Sequence, residues 1–174
     1  MSAFDTYWFP TILGVACAVI GAWLSAKWPE YQTTQQYSRR NDLLGAWAST
    51  WQDADDPNQW VTETVAIDID QGKLRLRNSD NVGGYLWQGA CDLYDDHYLY
   101  GTWKSLREGS HSTGVFSFLV LPQGNVLVGQ AMGQDKLGVP RTSDWILARR
   151  KEDLDIGKRW LARHATYYRG DAAS

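Results

Sequence analysis

The 174-residue sequence predicts an all-β soluble domain, an eight-stranded antiparallel up-and-down β-barrel with one N-terminal transmembrane helix and a C-terminal amphipathic helix. Three observations carry this reading. Residues 42–150 are punctuated at short, regular intervals by turn residues, and the segments between the turns alternate apolar and polar side chains. A single long apolar run, Trp8 to Trp28, stands ahead of them.

The apolar run, WFPTILGVACAVIGAWLSAKW, carries no charge before Lys27. At about 1.5 Å of rise per residue, a helix of this length spans the roughly 30 Å hydrocarbon core of a bilayer. Trp8, Phe9, Trp23, Lys27 and Trp28 fall at depths that favour aromatic and snorkelling side chains, and Pro10 falls in the first turn, where its missing donor costs little. A cleaved signal peptide would need a basic segment ahead of the run, yet the first ten residues contain only Asp5 as a charge. Lys27, Arg39 and Arg40 follow the run. The positive-inside rule therefore orients the N-terminus outward and the remaining chain toward the cytoplasm, a single-pass arrangement in a bacterial inner membrane. Thr11, Gly14, Ala18, Gly21 and Ser25 recur at steps of three and four, a stripe of small side chains along which two such helices can approach and self-associate. The expected organisation is residues 1–28 as transmembrane helix, 29–41 as polar neck, 42–150 as barrel, and 151–174 as amphipathic helix and tail.

Eight strands are expected: Gly45 to Gln52, Trp60 to Ile69, Lys73 to Arg77, Gly84 to Leu93, Tyr98 to Leu106, Gly114 to Leu121, Asn125 to Gly133 and Asp144 to Arg150. Asp70-Gln71-Gly72, Asp95-Asp96-His97 and Pro122-Gln123-Gly124 are short enough to force antiparallel neighbours, whereas the links Arg107 to Thr113 and Gln134 to Ser143 are longer. Leu74 and Leu76 alternate with Lys73, Arg75 and Arg77, as a half-buried strand requires. Gly89, Gly101, Gly129 and Gly133 sit inside strands, which the tight curvature of a small barrel explains. Gly45-Ala46-Trp47 at the opening of the first strand and Arg149-Arg150 at the end of the last look like the lipocalin-type closure, in which a Trp packs beneath an Arg.

Ten tryptophan and tyrosine residues lie in or beside the strands: Trp47, Trp51, Trp60, Tyr85, Trp87, Tyr94, Tyr98, Tyr100, Trp103 and Trp145. They exceed what a minimal barrel interior holds, so some should face a pocket mouth or a partner. Rings accompanied by cations suit a ligand with a base and a phosphate. By residue type and strand position, Tyr85, Trp87, Tyr100 and Trp103 are the candidates for stacking, with Arg75, Lys104 and Arg107 for phosphate. Residues 41–150 hold nine Lys and Arg against fourteen Asp and Glu, a net of minus five that should repel duplex nucleic acid. Glu63 interrupts the apolar face of its strand and is expected at an exposed register on the barrel rim, with an inward ligand contact as the alternative.

Other chemistry is sparse. His97, His111 and His164 share no motif, and Cys17 and Cys91 lie in no metal or redox spacing, so no catalytic residue, metal or cofactor is expected. The cluster Asp53, Asp55, Asp56 reads as a solvated loop. After Arg150, Ile156, Trp160, His164 and Tyr167 recur at helical spacing beside Lys158, Arg159 and Arg163, an amphipathic helix that either packs on the barrel wall or docks on anionic inner-membrane lipid.

The Trp8 to Trp28 anchor, the strand-and-glycine rhythm of Tyr98 to Trp103 and Val115 to Gly133, and the closing Asp144-Trp145-Ile146-Leu147 resemble the membrane β-barrel effectors of bacterial cyclic-oligonucleotide anti-phage signalling (CBASS). The family's typical members have two membrane helices where this chain shows one. The resemblance implies a sensor-effector whose barrel binds a cyclic di- or oligonucleotide, associates with other copies and disturbs the membrane. Two other classes remain open: a lipocalin-like binder of an apolar ligand, and a structural accessory subunit of a membrane complex.

Overall fold

The structure, a computed structural model, describes residues 17–27, 41–53, 56, 58–79, 85–134 and 138–168, with the side chains of the last helix as far as His164. The chain divides into two compact units, Met1–Arg39 and Arg40–Ser174. In the first, residues 17–27 form a helix, α1, whose residues are all exposed. Ser25 Oγ donates to the Gly21 carbonyl at 2.8 Å, and a Cβ added at Gly21 would meet nothing within 4 Å. Among the described residues no helix is long and apolar enough to cross a membrane; residues 8–16 and 28 of the expected transmembrane run, Thr11 and Gly14 among them, lie outside those described.

The second unit is the barrel. Its described strands are β1 (Gly45–Gln52), β2 (Trp60–Asp70), β3 (Lys73–Asn78), β4 (Trp87–Tyr94), β5 (Tyr98–Ser105), β6 (Thr113–Val120), β7 (Val126–Gln134) and β8 (Pro140–Ala148). Each pairs antiparallel with the next, and β8 returns to β1 through Ala48↔Ala148 to Trp51↔Trp145, closing the sheet without an edge. Two boundaries differ from expectation by more than two residues. β4 begins at Trp87 rather than Gly84, and β8 begins at Pro140 rather than Asp144. Pro140 reads as a loop residue in sequence, but the first position of a strand tolerates a missing N–H, and here it pairs with Gln134.

The two ends of the barrel are unlike. At one end the links are tight: Gln71 and Gly72 both take positive φ between Asp70 and Lys73, and Asp95 and Asp96 do so between β4 and β5. This is the conformation that primed hairpin turns demand. The one-turn 3-10 segment Asn41–Leu43 plugs this end with Leu43, which is fully buried, and Trp47 Nε1 donates to the Leu43 carbonyl at 2.8 Å. The Arg149 guanidinium lies 4.1 Å from the Trp47 ring centroid and donates to the carbonyls of Ala46, Asp42 and Leu44. The Trp-beneath-Arg closure is therefore present, made by Arg149, while Arg150 turns away to Asp153 at 3.0 Å. The opposite end carries the longer links, residues 53–59, 79–86, 106–112 and 135–139.

Strand alternation sets what faces inward. Val65, Ile67, Leu74, Leu76, Leu99, Phe118, Leu127 and Leu147 fill the closed half. At Gly129 an added Cβ would sit 1.9 Å from the Ser117 carbonyl oxygen, so only glycine allows β6 and β7 this approach. On the outside, Val126, Val128, Ile146 and Ala148 form a second apolar cluster with Leu154, covered by Trp160 and Leu161. The covering element is α2 (Leu154–Tyr168), whose Gly157 sits so close to Ile146 that an added Cβ would meet Cγ2 at 2.4 Å. Of the two surfaces open to the amphipathic helix, the barrel wall is the one it occupies.

Candidate functional site

The cavity follows from the change of side chains along the barrel axis. Above the aliphatic half, Trp145 forms an aromatic floor with edge-on contacts to Trp87 (centroids 5.0 Å, 74°), Phe116 (5.7 Å, 74°) and Phe118 (5.0 Å, 60°). Trp145 Nε1 donates to Ser49 Oγ at 2.8 Å, which satisfies the indole and ties β8 to β1. Beyond this floor the interior opens into a cavity of about 110 Å³, lined by Trp51, Tyr85, Trp87, Trp103, Trp145, Ala131 and Gly133 as the apolar wall and by Glu63, Gln134, Arg141 and Ser143 as polar groups. An engineered apolar cavity of about 150 Å³ takes up benzene, so this space is on the scale of one inserted ring.

Glu63 corrects the rim-exposed register expected for it. It faces inward and is 4% exposed. Its carboxyl group accepts from Asn78 Nδ2 at 3.0 Å and from Trp87 Nε1 at 3.1 and 3.3 Å, so a buried polar group is met by donors on β3 and β4. Asn78, itself buried, also accepts from the Trp87 backbone N–H at 2.9 Å and donates to the Tyr85 carbonyl at 2.8 Å. Those bonds hold the start of β4 and place the Tyr85 ring at the mouth, 5.9 Å from Trp51. Trp103 lies over Gly114 and Gly133, where added Cβ atoms would approach its ring at 2.5 and 2.7 Å. Its Nε1 is buried and has no hydrogen-bond partner.

Of the seven residues singled out for a ligand, the cavity brings together Tyr85, Trp87 and Trp103. Tyr100, 51% exposed, and Lys104 have the opposite parity on β5 and face outward. Arg75 also faces outward, paired with Asp68 at 2.8 Å and Asp70 at 2.7 Å; the hydrogen bond it donates to Asp68 raises the guanidinium above its ordinary pKa. Arg107 is exposed in the β5–β6 link. The cavity also holds Trp51, Trp145, Arg141 and Glu63, the last in the inward position that was its alternative register. Trp51 and Trp145 share the inward parity of Trp47 and Leu147 on their strands; Arg141 is one of the cations the sequence offers a phosphate, but its segment reads as a loop.

Among the described residues no group of three or more His, Cys, Asp or Glu side chains is placed to hold a metal ion. Burial, with a smaller contribution from Asp92, pushes the Cys91 thiol up to about 12, which leaves it an unreactive part of the interior.

No family model and no curated protein matches this chain. Among solved structures, a redesigned β-barrel, mFAP1, bound to DFHBI is similar to it with a TM-score of 0.49 at 13% sequence identity, over 62% of this chain and 95% of that one.

Proposed function

We propose that this chain is a ligand-binding barrel whose ligand is a nucleotide, specifically a cyclic di- or oligonucleotide, seated with one base inside the barrel and its phosphate at the rim. The observation that carries the reading is the layout of the cavity: four indoles and a phenol enclose a ring-sized space that has a carboxylate in its wall and a guanidinium, Arg141, on an exposed stretch of β8. Base stacking on aromatic side chains contributes about 1–3 kcal/mol per base, and an arginine supplies charge-assisted bonds to phosphate. Arg141 takes the part first assigned to Arg75, Lys104 and Arg107, of which Arg75 and Lys104 face away from the cavity.

The wider sensor-effector reading rests on the family resemblance. In it, ligand binding favours an associated state by differential affinity, and the N-terminal segment, with its stripe of small residues, carries that association to the membrane. A lipocalin-like binder of an apolar ligand uses the same cavity, but a fatty acyl chain would leave the buried Glu63–Asn78 pair facing hydrocarbon.

Thermal unfolding of the detergent-solubilised full-length chain, titrated in parallel with cyclic dinucleotides, a cyclic trinucleotide and fatty acids, separates these readings. Ligand at a hundred times its dissociation constant stabilises by about 2.7 kcal/mol, a rise of several degrees. A rise with a cyclic nucleotide supports the proposal; a rise with fatty acids alone replaces it with the carrier.

A further inference from the structure

The polar groups around the cavity are not interchangeable, because their hydrogen-bonding sense is fixed. Asn78 Oδ1 faces the Trp87 backbone N–H, which can only donate, and Asn78 Nδ2 faces the Tyr85 carbonyl, which can only accept. The amide cannot flip, so what it offers Glu63 Oε2 at 3.0 Å is an N–H. Trp87 Nε1, donor only, reaches Oε1 at 3.1 Å. Both oxygens of Glu63 thus accept from the protein, the arrangement that suits an ionised carboxylate, and the group that lines the cavity is an acceptor. The Trp103 indole N–H, by contrast, is buried against Gly114 and has no hydrogen-bond partner.

A carboxylate in the wall of an aromatic cavity complements a ring edge that carries adjacent N–H donors. Among nucleobases guanine has this edge, with O6, N1–H and the N2 amino group in a row. Adenine offers a single amino group beside a ring nitrogen whose lone pair would oppose the carboxylate. We propose that Glu63 is the specificity-determining residue of the cavity and selects a guanine-type base over adenine. This rests on the nucleotide reading above and adds to it the identity of the inserted base.

The test is equilibrium binding of the detergent-solubilised full-length chain to cyclic di-GMP, cyclic di-AMP and cyclic di-IMP, whose hypoxanthine keeps O6 and N1–H but lacks the N2 amine. The expected order places cyclic di-GMP about tenfold or more ahead of each of the others, the discrimination of one well-formed bidentate contact. In Glu63→Gln the advantage over cyclic di-AMP should collapse to within about threefold, since an amide cannot accept both donors. Should that variant fail to fold, the inosine comparison on the unaltered protein decides alone. Equal or tighter binding of cyclic di-AMP, or no loss with cyclic di-IMP, overturns the assignment while leaving the nucleotide reading standing; absence of binding by all three overturns the assignment, and absence of binding by the cyclic trinucleotide as well overturns both.

Discussion

Trp87 Nε1 donates to Glu63 across 3.1 Å, joining β4 to β2 over the intervening β3. The same indole packs edge-on against Trp145, so one side chain couples the polar wall of the cavity to its aromatic floor. Trp87→Phe keeps a ring but removes the donor from a buried carboxylate. Loss of such a bond should destabilise the barrel by about 1–3 kcal/mol, measured by urea unfolding. An unchanged midpoint would mean that the carboxylate does not depend on this donor.

At the closed end, Arg149→Ala removes the cation stacked on Trp47 together with its bonds to three main-chain carbonyls. The guanidinium is partly exposed, and burial lowers its pKa with Asp42 opposing, so the full value of those contacts is not realised. A loss of about 2 kcal/mol is expected. The cavity lies at the other end, so the variant's ligand affinity, compared below its melting transition, should be close to that of the parent.

The α2–barrel contact predicts its own variant. Gly157→Val would drive a side chain into Ile146 and Val128, where an added Cβ already comes within 2.4 Å of Ile146 Cγ2. Overpacking of this kind costs about 1–3 kcal/mol. Hydrogen exchange should show α2 losing protection before the strands of the closed half.

Cys91 gives a pH dependence with a definite sign. Its folded pKa, about 12, lies above the ordinary 9.0, so the neutral thiol is what the folded barrel favours. That contribution is fully present below pH 9 and is lost as pH rises toward 12; the stability of the parent should fall through this window more steeply than that of Cys91→Ala. Iodoacetamide at neutral pH should spare Cys91 until the barrel unfolds.

Turn chemistry made most of the fold legible. Asp70-Gln71-Gly72 and Asp95-Asp96-His97 mark tight hairpins because their residues accept positive φ, and the strands between them follow by alternation. Part of the site was legible by the same alternation. Trp87 and Trp103 share parity with the small inward residues Gly89 and Gly101, whereas Arg75 stands between Leu74 and Leu76 and Tyr100 beside Leu99, positions that already point outward. Selecting residues by type instead of parity drew in Arg75, Tyr100 and Lys104. Glu63 has inward parity with Val65 and Ile67, but what makes its burial tolerable is Asn78 on another strand, a pairing set by the β2–β3 register. Arg141 was obscured because Gly138 and Pro140 read as a loop.

The central claim is that a ligand occupies the open half of the barrel, and blocking that space tests it most directly. Ala131→Phe adds a ring to the cavity wall while leaving Glu63, Trp103 and Arg141 unsubstituted. Calorimetric titration of the full-length parent and this variant with the cyclic nucleotide that stabilises the parent should show one-to-one binding by the parent and at least tenfold weaker binding by the variant, with cooperative unfolding retained in both. Equal affinity in the two proteins would place the ligand elsewhere and contradict the account.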